Sequence, residues 1–212
     1  MYDLSKVTER TTALAAVEEI LTSIKPLVQI KQGRIGQRFY LEQNGQRVCL
    51  LLYSGTCVAK RIADSLVLST IRTPSIVGLH DIFLVKSDMH LLARGDVEYG
   101  MLLVDDFFRH VESKKLWKNV CLMLMLSATR FCEYQRETVG ISNYELICNF
   151  LTSLSMESFE VRATTTALEY IQERSLLSRS GIMKTLSSLK MGGYIDIKNG
   201  LLIKINSLPK KF

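Results

Sequence analysis

No apolar stretch in this sequence approaches the length of a membrane span. The longest uninterrupted one, residues 120–126, is far short of the ~20 residues a helix needs to cross a bilayer. The opening MYDLSKVTER has no basic segment followed by an apolar run, so no secretion signal and a cytoplasmic location are expected. Cysteine occurs only at 49, 57, 121, 132 and 148, an odd set without a CxxC pair, which argues against a disulfide framework or a zinc site and for reduced thiols. Histidine is confined to His80, His90 and His110, with no His-x-His to start a metal-dependent cupin site. GxSxG, P-loop and HExxH motifs are missing as well. The sequence therefore points away from an enzyme and calls for no metal and no cofactor.

What is present is ordinary for a globular chain of 212 residues: 47% hydrophobic and 23% charged, enough for one large domain or two small ones. The net charge of +6 is uneven. Residues 164–212 carry eight basic residues, Arg174, Arg179, Lys184, Lys190, Lys198, Lys204, Lys210 and Lys211, against Glu169, Glu173 and Asp196, a net of +5. A basic C-terminal segment on a near-neutral body suits a polyanion, or equally a solvated lysine-rich surface.

Leu4, Val7, Leu14, Val17, Leu21 and Ile24 recur at helical spacing, and Pro26 stops them. From about 27 to 104 the period becomes two. Strands at 38–43 and 46–53 flank Asn44-Gly45, the signature of a type I′ hairpin turn. Further strands fall at 56–62, 66–71, 76–77, 89–93 and 97–104, an antiparallel roll or barrel. Asp105 and Asp106 open a short helix over 107–112.

Residues 114–138 read as one long helix, free of Pro and Gly and apolar almost all round. Such a helix is buried on more than one side. A second copy of the chain can cover the free side, with Leu116, Val120, Met123, Leu124 and Phe131 as the dimer interface; a central helix inside one monomer is the alternative. Cys121 and Cys132 share one face of it, as packing residues or as thiols meeting a partner's. Gly140 ends this helix, and Ser142 caps another over 143–154.

Thr166-x-x-Glu169 is a capping box, and Ser178 caps a helix over 179–191 whose buried stripe is Ile182, Leu186 and Leu189. Ser180, Lys184, Ser187, Ser188 and Met191 occupy the opposite arc, with Arg179 on its flank. A slim face with donors is what a recognition helix needs in a major groove about 12 Å wide. Arginine suits guanine, while lysine and serine suit phosphates. Strands at 194–197 and 201–205, joined by Lys198-Asn199-Gly200, complete a winged helix-turn-helix, although the turn at 173–177 lacks glycine; an ordinary helical hairpin is the alternative. The DNA-contacting set is Thr166, Ser178, Arg179, Ser180, Lys184, Ser187, Ser188 and Lys198.

Ser178-Arg179-Ser180 through Leu189, Gly193-Tyr194-Ile195, Ile205-Asn206-Ser207-Leu208-Pro209, Leu116-Trp117 and Ile76-Val77-Gly78-Leu79 together resemble the cyclic AMP receptor protein and FNR superfamily, and more closely an enterobacterial branch concerned with peroxide resistance. The resemblance is good over 114–209 and looser over 27–113. It implies an α+β fold of three parts: a β-roll like cyclic-nucleotide-binding domains (1–112), a central dimerisation helix (113–139) and a winged helix-turn-helix (140–212). It further implies a homodimer, double-stranded DNA as partner and a link to oxidative stress. Nucleotide-binding members follow Gly-Glu with a later Arg; here Leu79 follows Gly78, and Lys86-Ser87-Asp88-Met89-His90 has no Arg, so the nucleotide site is expected to be lost. No cysteine precedes Cys49 to begin an iron–sulfur cluster. A roll that senses an unidentified small apolar ligand, or an interaction module without DNA binding, are the competing readings.

Overall fold

A computed structural model describes the backbone of residues 4–83 and 87–209, and the side chains of all these except 4–9, 81 and 82. Lys86, Lys210 and Lys211, and the side chains of Leu4 and Val7, lie outside the described residues. The chain divides into two compact units, 1–130 and 131–212.

The first unit opens with α1 (Leu4–Ile24), followed by a short 3-10 turn at Lys25–Leu27 that contains Pro26. Ala13, Ala16, Val17, Ile20, Leu21 and Ile24 form its buried face. Among the described residues nine strands follow: β1 (Lys31–Gly33), β2 (Arg38–Tyr40), β3 (Glu42–Gln43), β4 (Gln46–Ser54), β5 (Thr56–Arg61), β6 (Val67–Arg72), β7 (Ser75–Val77), β8 (Met89–Ala93) and β9 (Val97–Leu103). All pair antiparallel in two sheets, ordered β1-β9-β4-β3 with β7 on β4, and β2-β8-β5-β6. β4 reads as a continuous apolar run because both its faces are covered. Leu50 and Leu52 point into the roll with Phe39, Leu91 and Val97, whereas Cys49 and Leu51 pack with the helices.

The Asn44-Gly45 turn forms as expected, with φ of 51° and 74° and Gln43 opposite Gln46. The strand expected over 38–43, however, is two strands in different sheets. β2 pairs with β8 and β3 with β4, and the chain crosses between sheets at Leu41, whose side chain is buried and whose carbonyl accepts from Val48 N at 3.1 Å. β1 escapes the pattern because three residues are too few to show a period.

α2 (Val104–Lys114) carries Asp105 and Asp106 in its first turn and ends where Lys115 turns left-handed at φ 57°. That break, not legible in the apolar pattern, delays α3 (Trp117–Thr138) by three residues. The second unit holds the end of α3, then α4 (Asn143–Ser155), α5 (Phe159–Thr164), α6 (Ala167–Gln172), α7 (Arg179–Met191), β10 (Ile195–Lys198) and β11 (Leu201–Ile205). Its core gathers Ile147, Leu151, Ile171, Ile182, Leu189 and Leu202. No described helix is long and apolar enough to cross a membrane.

Candidate nucleic-acid interface

The second unit is built on reciprocal caps. Thr166 Oγ1 accepts the amide of Glu169 at 3.2 Å, and the Glu169 carboxylate accepts the amide of Thr166 at 3.0 Å. Ser142 and Glu145 repeat the box at the start of α4. These hydrogen bonds hold the carboxyls of Glu169 and Glu145 below the usual range, the bonds with Thr166 and Ser142 being the principal cause. The turn after α6 needs no glycine, since none of residues 173–177 has positive φ. Arg174 fixes it from within. Its guanidinium lies 3.5 Å from the centre of the Tyr170 ring and donates to the Tyr170 carbonyl at 3.2 Å. Arg174, counted above among the basic residues of the tail, is therefore a buried structural cation and not part of a surface for a polyanion.

On α7, Ile182, Leu186 and Leu189 are buried, as the spacing requires. Ser178 Oγ accepts the Gly181 amide at 3.2 Å and sits 3.3 Å from Ser180 Oγ. Arg179, Ser180, Lys184 and Ser187 are exposed; Ser188 is half-buried. Thr166 is also half-buried, its hydroxyl engaged with Glu169 and its methyl group against the wing turn. Exposed Met183 and Lys190 lie beside Arg179, within about 40° around the helix. The sequence counts Lys190 only among the basic residues of the tail and passes over Met183, because a methionine on an outer face carries no polar signal.

The wing follows Gly192 and Gly193. A Cβ on Gly192 would come within 2.4 Å of the Tyr194 ring, so the approach of ring to helix end demands glycine. Asn199 and Gly200, with φ of 52° and 82°, make a second type I′ turn that leaves Lys198 exposed at the tip. The Gly200 carbonyl accepts the amide of Ala167 at 2.9 Å, joining the tip to the first turn of α6.

α3 is less uniform than its composition suggests. Leu116, Val120 and Met123, expected at a dimer interface, are buried within the first unit against α1 and α2 residues such as Ile20 and Val111. They are thus unavailable to a partner. Leu124 and Phe131 are exposed and belong to a separate stripe: Trp117, Cys121, Leu124, Ala128 and Phe131, spaced alternately by four and three residues. That repeat of 3.5 is the spacing on which a coiled-coil seam is built. Cys121 and Cys132 are exposed, whereas Cys49, Cys57 and Cys148 are buried. Burial pushes the thiols of Cys49 and Cys57 up to about 12.

At the position of the nucleotide cassette, Gly78 keeps a positive φ of 111°, and a Cβ there would meet the Val48 carbonyl at 2.8 Å. Leu79 does not line a polar site. It is buried in the core shared with Cys49, Leu51 and Phe107. Among the described residues, no group of three or more His, Cys, Asp or Glu is placed to hold a metal ion.

Residues 143–210 match the family described as winged helix-turn-helix DNA binding. Over 210 residues, the chain is 26% identical to the inhibitor of hydrogen peroxide resistance of Escherichia coli, covering 91% of this chain and all of that protein. The c-di-GMP responsive global regulator of Xanthomonas campestris superposes with a TM-score of 0.71 at 12% identity, over 90% of this chain and all of that one. A protein of Eubacterium rectale assigned to the crp/fnr family of transcriptional regulators gives 0.64 at 12% identity, over 90% and 89% of the two chains. Caps, helix order, wing and strand roll agree with these likenesses: residues 143–210 are a winged helix-turn-helix domain, in a chain that has the fold of the cyclic AMP receptor protein and FNR regulators and is a homologue of the inhibitor of hydrogen peroxide resistance.

Proposed function

We propose that the protein is a homodimeric, cytoplasmic regulator of transcription, without enzymatic activity, that reads duplex DNA through α7 and the wing. The outer face of α7 carries the argument. It offers Arg179, Ser180, Lys184 and Ser187 to solvent, with Met183 the one long apolar side chain exposed between the two cations. A helix of that profile fits a major groove. Arg179, in the first turn, is the base reader, suited to a bidentate contact with guanine. Lys184 and Lys198 neutralise phosphates, while Ser178, Ser180, Ser187 and Ser188 hold the register; Thr166, whose hydroxyl and amide both donate to Glu169, serves by fixing the start of α6 beside the wing. The seam on α3 pairs two copies. Their recognition helices then face successive major grooves about 34 Å apart, on a roughly palindromic site.

The β-roll in this reading takes no cyclic nucleotide. Leu79 cannot accept a ribose hydrogen bond, and its side chain serves the core. A role in the response to hydrogen peroxide is supported by the likeness to the E. coli inhibitor.

Titration of matched and scrambled duplexes tests the assignment. Arg179→Ala should cost ~1–3 kcal/mol of specific affinity and relax base preference at one symmetric position. If affinity and preference both stay unchanged, α7 is not the reader, and the basic face belongs to solvent or to a protein partner.

A further inference from the structure

The first unit has a cleft of ≈ 290 Å³ at the mouth of the roll, between the edge strands β1 and β2 of its two sheets. Residues on both sides of the Leu41 crossing line it, Arg38 and Phe39 from β2 and Glu42 and Gln43 from β3. None of its lining residues falls between Gly78 and Ala93, where the nucleotide cassette would lie. Its apolar part is Phe39, Tyr99 and Met101, with the Phe39 and Tyr99 rings in edge contact at 4.6 Å. Its charged part is Lys31 and Arg38, both exposed at the rim and neither in an ion pair with any described residue. Glu42, the acid of the lining, lies 3.5 Å from Arg47, so the two rim cations outnumber the one acid of the cleft.

Tyr99 supplies a third element. It is buried, and its hydroxyl accepts from Gln37 Nε2 at 3.1 Å. Its own hydrogen remains able to donate to solvent or to a molecule held in the cleft that Tyr99 lines. Positive potential extends around the rim on the β2 side. His90, opposite Tyr40 across the β2–β8 pair, is held toward its neutral form by burial and then by Arg38 and Lys60.

We propose that this cleft binds a small carboxylate with an aromatic or short apolar body, its anionic end between Lys31 and Arg38 and its body against Phe39, Tyr99 and Met101. Two cations at the rim select an anion. The apolar floor favours an organic acid over inorganic phosphate, which would leave that floor wet. The volume lies at the lower end for small-molecule sites and excludes a dinucleotide.

The test uses the full chain, with benzoate and hexanoate as probes, benzamide as the uncharged control and inorganic phosphate as the bare anion. Calorimetry and amide NMR titrations run to about 10 mM. Benzoate or hexanoate should bind and shift the amides of Phe39 and Tyr99. Arg38→Ala should weaken this at least ~10-fold while leaving benzamide unchanged. Both rim cations are exposed, so these variants should fold; near-ultraviolet circular dichroism checks that. The proposal is overturned if neither acid binds, if phosphate binds equally well, or if the Lys31→Ala, Arg38→Ala double variant retains full affinity. Apo-protein DNA binding, measured on the same samples, reports the fate of the regulator assignment separately.

Discussion

Leu124→Glu tests the α3 seam most directly. In the single chain 48% of Leu124 stays exposed, so a partner helix can bury roughly half a leucine side chain from each copy. Full burial of a leucine is worth about 1.5–3 kcal/mol, which makes the seam's share about 1 kcal/mol per copy. The substitution removes this twice and places two carboxylates against each other at an apolar layer, adding a few kcal/mol. A total of about 4 kcal/mol raises the dimer dissociation constant ~1000-fold. Sedimentation equilibrium reads this directly. The two thiols of the helix supply an internal control. Cys121 is a seam position and Cys132 flanks it, so Cys132 should react quickly with a thiol reagent in the dimer, and Cys121 only in the Leu124→Glu monomer. In a parallel pair, Cys121 also faces its own counterpart, within reach of an oxidative cross-link. A wild type that sediments as a monomer at tens of micromolar would refute the seam, as would a Leu124→Glu protein that stays dimeric.

The remaining expectations are compact. Lys184→Ala and Lys198→Ala should weaken specific and non-specific DNA alike, and each should lower the salt slope by about one unit per subunit; a change confined to one base position would contradict the phosphate role. Calorimetry should find no micromolar binding of cyclic AMP or cyclic GMP, given the core position of Leu79. Glu145 and Glu169 have native values below the ordinary 4.5, so their contribution to stability is complete above that pH and is lost as the pH falls through the lowered values. Thermal melts between about pH 6 and 3 should therefore fall with acidification, and Glu145→Gln with Glu169→Gln should flatten the fall; an unaltered slope would remove the capping boxes from that account.

Much of the fold was legible wherever a local rule was strong. Asn44-Gly45, Thr166 with Glu169, and Ser178 each settle their own backbone within three or four residues, and tertiary packing only adds to them. What escaped depends on distant neighbours. Nothing in the text of residues 38–43 says that Leu41 is a crossing point, because its burial comes from residues brought in by other strands. The α3 helix looked uniformly apolar because hydrophobicity does not say which body covers a residue. Only α1 and α2, packed in place, separate Val120 and Met123 from Leu124 and Phe131. Arg174 shows the same limit for charge: a cation counted toward a surface lies over the Tyr170 ring. The cleft residues Lys31, Arg38 and Tyr99 come from three strands and form no motif along the chain.

The hydrogen bond from Ala167 to the Gly200 carbonyl has a consequence for how the reading head is held. The amide of a helix's first residue has no partner inside that helix. Here it is filled by the tip of a hairpin more than thirty residues downstream. The wing is thus latched to the helix that precedes α7, and the backbone of the tip beside Lys198 is set in position whether or not a partner is bound. An ordered head spends little conformational entropy on docking. The latch also provides a one-proton gauge: exchange of the Ala167 amide with deuterated solvent should be slow while the hairpin is seated and should quicken whenever it swings free.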